Sequence, residues 1–122
     1  MALHTSLPIY ATGGRLLTLA IRMQVQLPRA VKRVLGDQVT THCIDMLNAM
    51  ALANASMRPV DRTRQIERVL EIQRALQVLL RVCFDERFIS HKLWGEATQL
   101  MDSIGKQAGG WLKKTSNRAP AA

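Results

Sequence analysis

Four separate segments of this 122-residue chain place apolar or small side chains at alternating steps of four and three. That spacing is the seam of a helix packed lengthwise against others, and it leaves few folds open. The first segment reads Ile9, Gly13, Leu16, Ala20, Met23, Leu27. The second reads Val39, Cys43, Met46, Met50, Ala53, widened by Ile44, Leu47 and Ala51. In the third, Ile66, Leu70, Gln73, Leu76, Leu80 and Cys83 recur, flanked by Val69, Ile72 and Leu79. Trp94, Ala97, Met101, Ile104, Ala108 and Trp111 make the fourth. No window shows the alternation of a strand. Four amphipathic segments on short links predict an all-α, antiparallel up-down-up-down four-helix bundle. Composition agrees: 48% of residues are hydrophobic but only 4% are aromatic, so Leu, Ala, Val, Ile and Met carry the apolar mass. Such side chains lose little rotamer freedom in a helix.

Local signals set the expected boundaries. Residues 1–7 read as a flexible leader, 8–114 as the bundle and 115–122 as a disordered tail. Gly13 and Gly14 weaken the first turns of helix one, and Pro28 ends it. A short helical turn over Pro28–Leu35 stops near Gly36, and helix two runs from about Asp37 to Ala55. Ser56-Met57-Arg58-Pro59 is the clearest break in the chain. Asp61 is the expected N-cap of helix three, which extends to about Cys83, and Asp85-Glu86-Arg87 forms a polar turn. Ser90 caps helix four, with Ile89 and Trp94 placed as a hydrophobic staple across the cap.

Charge is the most informative bulk property. Seventeen Lys and Arg against nine Asp and Glu give a net +8, with an isoelectric point near 10.5. Such an excess favours polyanionic partners, DNA or RNA first, through counterion release; the alternative is a soluble protein that is simply basic. Arg15, Arg22 and Arg29 recur every seven residues, as do Arg74 with Arg81 and Lys106 with Lys113. Seven residues is nearly two turns, so each set shares a side of its helix, Arg29 only loosely because it lies beyond Pro28. Lys32 with Arg33, the Arg62, Arg64 and Arg68 group, and Lys113 with Lys114 and Arg118 are further phosphate-contact candidates. The competing explanation is that solvent positions recur every seven residues in any such helix, and Glu67, Glu71 and Arg74 fit ordinary intrahelical pairing. Tyr10, Phe84, Phe88, Trp94 and Trp111 are the only aromatics, which favours backbone contacts over base recognition.

The remaining motifs point away from chemistry. His4, His42 and His91 have no ligand partner at metal spacing, so no metal and no cofactor are expected. Gly13-Gly14 lacks the Lys-Ser/Thr of a phosphate-cradling loop. Cys43 and Cys83 lie in apolar helical runs without a basic activator, as buried free thiols of a reducing cytoplasm. No segment approaches the ~18 uncharged apolar residues of a membrane span, nor is there a signal-peptide pattern. A bundle enzyme would need inward carboxylates or histidines, and the inner positions are apolar apart from Gln73. Gly105, Gly109 and Gly110 interrupt helix four at a cost of about 1 kcal/mol each relative to Ala. Gly105 and Gly109, one turn apart, would admit a close neighbour, either within the bundle or in a second subunit. Trp111 just beyond them reads as core or as a contact residue.

The order of these features resembles a known family. It comprises Leu7-Pro8-Ile9-Tyr10, Leu27-Pro28-Arg29, Leu35-Gly36-Asp37, Leu79-Leu80-Arg81, Ile89-Ser90 and the run Ile104-Gly105-Lys106-Gln107-Ala108-Gly109-Gly110-Trp111-Leu112-Lys113. These look like the accessory variability determinant (Avd) proteins of diversity-generating retroelements, within the four-helix-bundle proteins of ribosomal RNA intervening sequences. The resemblance covers about residues 7–114, and Gly-Lys-x-x-Gly-Gly-Trp is its most specific part. Gly13-Gly14 departs from the bulkier residues expected there. The resemblance implies a homopentameric barrel with a positive surface that binds the retroelement's reverse transcriptase and template RNA during mutagenic cDNA synthesis. Arg81 and Lys106 match the family's basic positions, which implies either RNA contact or support of a subunit interface. A general RNA-binding scaffold of the intervening-sequence type, without a polymerase partner, is the alternative.

Overall fold

The computed structural model describes residues 7–118, with every described element helical and no strand among them. Four principal helices carry the fold: α1 (Pro8–Met23), α3 (Asp37–Ala55), α4 (Pro59–Asp85) and α5 (His91–Arg118). A short α2 (Arg29–Val31) and a π-helical turn (Lys32–Gly36) lead into α3. The principal helices pack in a ring, α1 against α3, α3 against α4, α4 against α5 and α5 against α1.

The four-three seams become the interior. Ile9, Leu16, Ala20, Met23 and Leu27 are buried from the first segment, with Val39, Cys43, Met46, Met50 and Ala53 from the second. Ile66, Gln73, Leu76, Leu80 and Cys83 join them from α4, and Ala97, Met101, Ile104 and Ala108 from α5. Leu70, Trp94 and Trp111 sit at the margin and pack on the core only partly. Ile44, expected to widen the α3 face, is 44% exposed.

At Gly13 α1 packs closely on α3. A Cβ there would lie 2.9 Å from Leu47 Cδ2 and 3.1 Å from Met50 Cε, so α1 rests on α3 through a missing side chain. At Gly14 the same atom would meet open space.

Several boundaries differ from expectation. Helix α1 stops at Met23, before Pro28, because Gln24, Val25 and Gln26 tighten into i→i−3 bonds of 3.3, 3.2 and 2.9 Å. Gly36 is no stop: it is buried with right-handed helical φ −62° and ψ −46°, and the chain winds without a break from Arg29 to Ala55. The glycine is needed for contact, since a Cβ would lie 3.2 Å from both Leu27 Cδ1 and Gln24 Cγ. Helix α4 begins at Pro59, which occupies the first turn behind an extended Arg58, so Asp61 lies in that turn and is not the cap.

At the other end of α4, Arg87 adopts φ 61°. Phe88 N–H donates to the Cys83 carbonyl (2.8 Å) and Arg87 N–H to that of Phe84 (2.9 Å), the paired bonds of a Schellman cap. Ser90 Oγ accepts from Leu93 N–H at 3.1 Å, so the expected cap of the last helix is present. Gln26 Oε1 accepts from Ser90 N–H (3.0 Å), tying the α1 turn to the start of α5.

Helix α5 continues beyond residue 114 to Arg118, taking in the first residues of the expected tail. Thr115 is 6% exposed and donates its hydroxyl to the Trp111 carbonyl at 2.9 Å. Residues 119–122 of that tail, and residues 1–6 of the leader, lie outside the described residues; Leu7 packs on the core.

Candidate nucleic-acid interface

Of the fourteen basic residues singled out by sequence, the Arg118 side chain lies outside those described, and the other thirteen separate into two groups. Arg15, Arg22, Arg29, Lys32, Arg33, Arg64, Arg68, Arg74, Arg81, Lys106, Lys113 and Lys114 are exposed, whereas Arg62 is half-buried. Among the described residues only two ion pairs form: Arg58 with Asp61 at 3.9 Å and Arg81 with Asp85 at 3.0 Å. No other exposed cation among the described residues has a carboxylate within ion-pair distance.

Arg62 is spent on the fold. Its Nε donates to the Ala53 carbonyl at 3.0 Å, and its Nη2 to those of Ser56 at 2.9 Å and Asn54 at 3.5 Å. These carbonyls lie at and just past the end of α3, where Ala53 also accepts from Ser56 N–H at 3.3 Å and the dipole favours a cation. Its sequence neighbours Arg64 and Arg68 have no such partners.

Arg15 and Arg22 come together as their spacing suggested. Both line a groove of about 710 Å³ between α1 and α5, with Thr18, Gln99 and Ser103 as further polar lining. Glu96 also lines it, a carboxylate that sequence inspection missed because it lies on a different helix. Beyond the groove, Gln107 Nε2 donates to Thr12 Oγ1 (3.1 Å) and Ser103 Oγ (3.0 Å), fastening α1 to α5. Arg29 belongs to α2, across the Gln24–Pro28 turn, and does not line this groove.

Arg81 has two neighbours that hold it. Besides Asp85, its guanidinium lies 5.9 Å from the centroid of Trp94, whose ring stacks on Phe84 at 5.0 Å and 10°. His91 meets Phe84 edge-on at 5.1 Å. This aromatic pile braces the α4–α5 turn.

At the far part of α5, Lys106, Trp111 and Lys114 line a second groove with Leu7, Pro8 and Gly110, about 340 Å³ in volume. A third, of about 380 Å³, brings Arg62 and Lys114 together beside Trp111 and Met57. The three glycines of α5 behave differently from one another. A Cβ at Gly105 would touch Gln73 Nε2 at an ordinary 3.5 Å, beside the bond that Gln73 donates to the Met101 carbonyl at 3.1 Å. At Gly109 and Gly110 a Cβ would meet open space, so no other helix of the bundle approaches them.

The thiols are sequestered. Burial pushes Cys43 up to about 12. Cys83 is raised as well, by burial that a backbone hydrogen bond partly offsets. No group of three or more His, Cys, Asp or Glu among the described residues could hold a metal ion. Nor is any described helix long and apolar enough to cross a membrane.

Fold and surface together define a helical bundle with an unneutralised cationic exterior. No family model matches the chain, and no curated protein or solved structure matches it.

Proposed function

We propose that this chain is a non-catalytic, nucleic-acid-binding adaptor of the Avd type. In this reading it presents basic surfaces to the template RNA and cDNA of a diversity-generating retroelement and engages the element's reverse transcriptase. The observation that carries it is the clustering of exposed cations that form no ion pair among the described residues, Arg15 and Arg22 in one groove and Lys106 and Lys114 in another. With seventeen cations against nine carboxylates most of this charge has no partner in the chain, and a polyphosphate can supply one. The Gly105-Lys106 to Gly109-Gly110-Trp111 run supports the family assignment, and the ring of helix neighbours supports the antiparallel up-down-up-down order.

Self-assembly into a homo-oligomer, the pentameric barrel of the resemblance, belongs to the same reading. Val78 (65% exposed) and Val82 lie one turn apart on α4, and Ile44 and Leu52 two turns apart on the adjacent α3. Rows of exposed aliphatic side chains are what a subunit contact covers. The cytoplasm is the proposed compartment.

Titration of a single-stranded RNA across rising potassium chloride tests the nucleic-acid arm. Six phosphate contacts give a slope of roughly −4 in log affinity against log salt. Sedimentation gives the mass, and retention of the partner reverse transcriptase separates the adaptor from a polymerase-independent RNA scaffold. A monomer with no RNA affinity at low salt overturns the proposal.

A further inference from the structure

We infer that the groove beside Trp111 is a stacking seat for one unpaired base of a single-stranded nucleic acid. This rests on the nucleic-acid reading above and adds to it a contact with a base, where the charge alone provides contacts only with phosphates. Trp111 is half-buried: it packs partly on the core and lines the two grooves at this part of α5. Trp94, the other indole, is occupied by Phe84 on one side and approached by Arg81. Among the described residues no ring or guanidinium stacks on Trp111, and its side chain lines the groove wall.

Three further features fit a nucleotide. Lys106 and Lys114 line the groove from positions eight residues apart, about 12 Å along the helix axis. Lys106 thus precedes and Lys114 follows Trp111 along α5, and both reach the groove in which the phosphates flanking a stacked base would run. Leu7 and Pro8 supply an apolar wall, which suits a base and not a phosphate. Gly110 opens the groove: a Cβ there would meet nothing, so the fold has no packing reason for a glycine that weakens the helix. The volume, about 340 Å³, is at the lower end for small-ligand sites. An aromatic surface with flanking cations is how single strands are held without sequence readout.

The test uses the full chain carrying Trp94→Phe, which leaves Trp111 as the only indole. Its fluorescence is followed at low salt during addition of a short oligothymidylate, and separately of an abasic oligomer of equal length. Stacking predicts quenching by the oligothymidylate alone and about tenfold tighter binding than the abasic strand. Gly110→Leu in the same background fills the groove and is expected to abolish both differences. Because that substitution adds helix propensity, it should not lower the melting temperature. Equal binding of both strands without quenching overturns the seat and leaves the basic-surface reading standing. Binding of neither strand overturns both. Emission that follows protein concentration instead of oligonucleotide assigns the groove to a second copy of the chain, and the seat is then wrong.

Discussion

Arg62→Met separates structural charge from available charge. The guanidinium donates to three carbonyls at the end of α3, two of them at 3.0 and 2.9 Å and the third at the limit of 3.5 Å. Hydrogen bonds from a charged donor contribute about 1.5–3 kcal/mol in total when lost at a site of this kind, and the helix dipole adds about 0.3–1. Because Arg62 is only half-buried, water recovers part of the loss, so about 2 kcal/mol is the expected destabilisation. That corresponds to roughly 8 °C in melting temperature for a domain of this size. Arg64→Met and Arg68→Met, on the same helix but without partners, should stay within about 0.5 kcal/mol of the parent. In RNA binding the order reverses: each of those two lowers the salt slope by about 1 if it meets a phosphate, while Arg62→Met leaves the slope unchanged. Urea unfolding and salt titration of the three variants give both rankings. The reasoning fails if Arg62→Met unfolds with the parent's midpoint, or if it flattens the slope as its neighbours do.

Arg87→Gly should stabilise the protein by about 0.5–1 kcal/mol in urea unfolding, since it relieves a side chain held at φ 61° while keeping both bonds of the Schellman cap. The two adjacent glycines of α1 should respond oppositely: Gly14→Ala gains about 0.5–1 kcal/mol of helix propensity, and Gly13→Leu loses about 1–3 by forcing Leu47 and Met50 aside. Melting temperatures of the pair decide this. Native Cys43 should resist a thiol reagent near neutral pH and react only on unfolding. Its folded value of about 12 stands above the ordinary 9.0, so this contribution to stability is complete below pH 9. It is lost as pH rises from 9 toward 12, by at most about 1.4 kcal/mol per pH unit. A Cys43→Ser variant with the same alkaline melting profile as the parent would count against that assignment.

The seams were legible because periodicity reports directly on what must leave water, and the buried set follows it from Ile9 to Ala108. Residues that act through backbone were not. Arg62 reads as one of three like charges, and nothing in its identity reveals carbonyls six to nine residues earlier across the Ser56–Arg58 link. Its position just inside a helix that follows a tight break was the available sign. Gly36 reads as a stop because glycine disfavours helix, but here close contact with Leu27 and Gln24 outweighs propensity. Thr115 was read as tail for its polarity. It falls four residues after Trp111, so it continues the seam, and its hydroxyl is satisfied within the helix. Glu96 in the Arg15–Arg22 groove needed the third dimension altogether.

The unpaired cations bear on stability as well as on binding. A bundle of net +8 with two ion pairs among its described residues carries self-repulsion that its core must offset. All nine carboxylates lie within the described residues, and only Asp61 and Asp85 are in ion pairs there. Arg15 and Arg22 share their groove with Glu96 but form no ion pair with it, and Lys106 and Lys114 form none either, so all four can still attract a polyanion. A ligand that neutralises these residues removes repulsion present in the folded state and thereby stabilises that state by linkage. On the proposed nucleic-acid reading, the same charge that lowers the stability of the free bundle would supply the affinity for a polyanion.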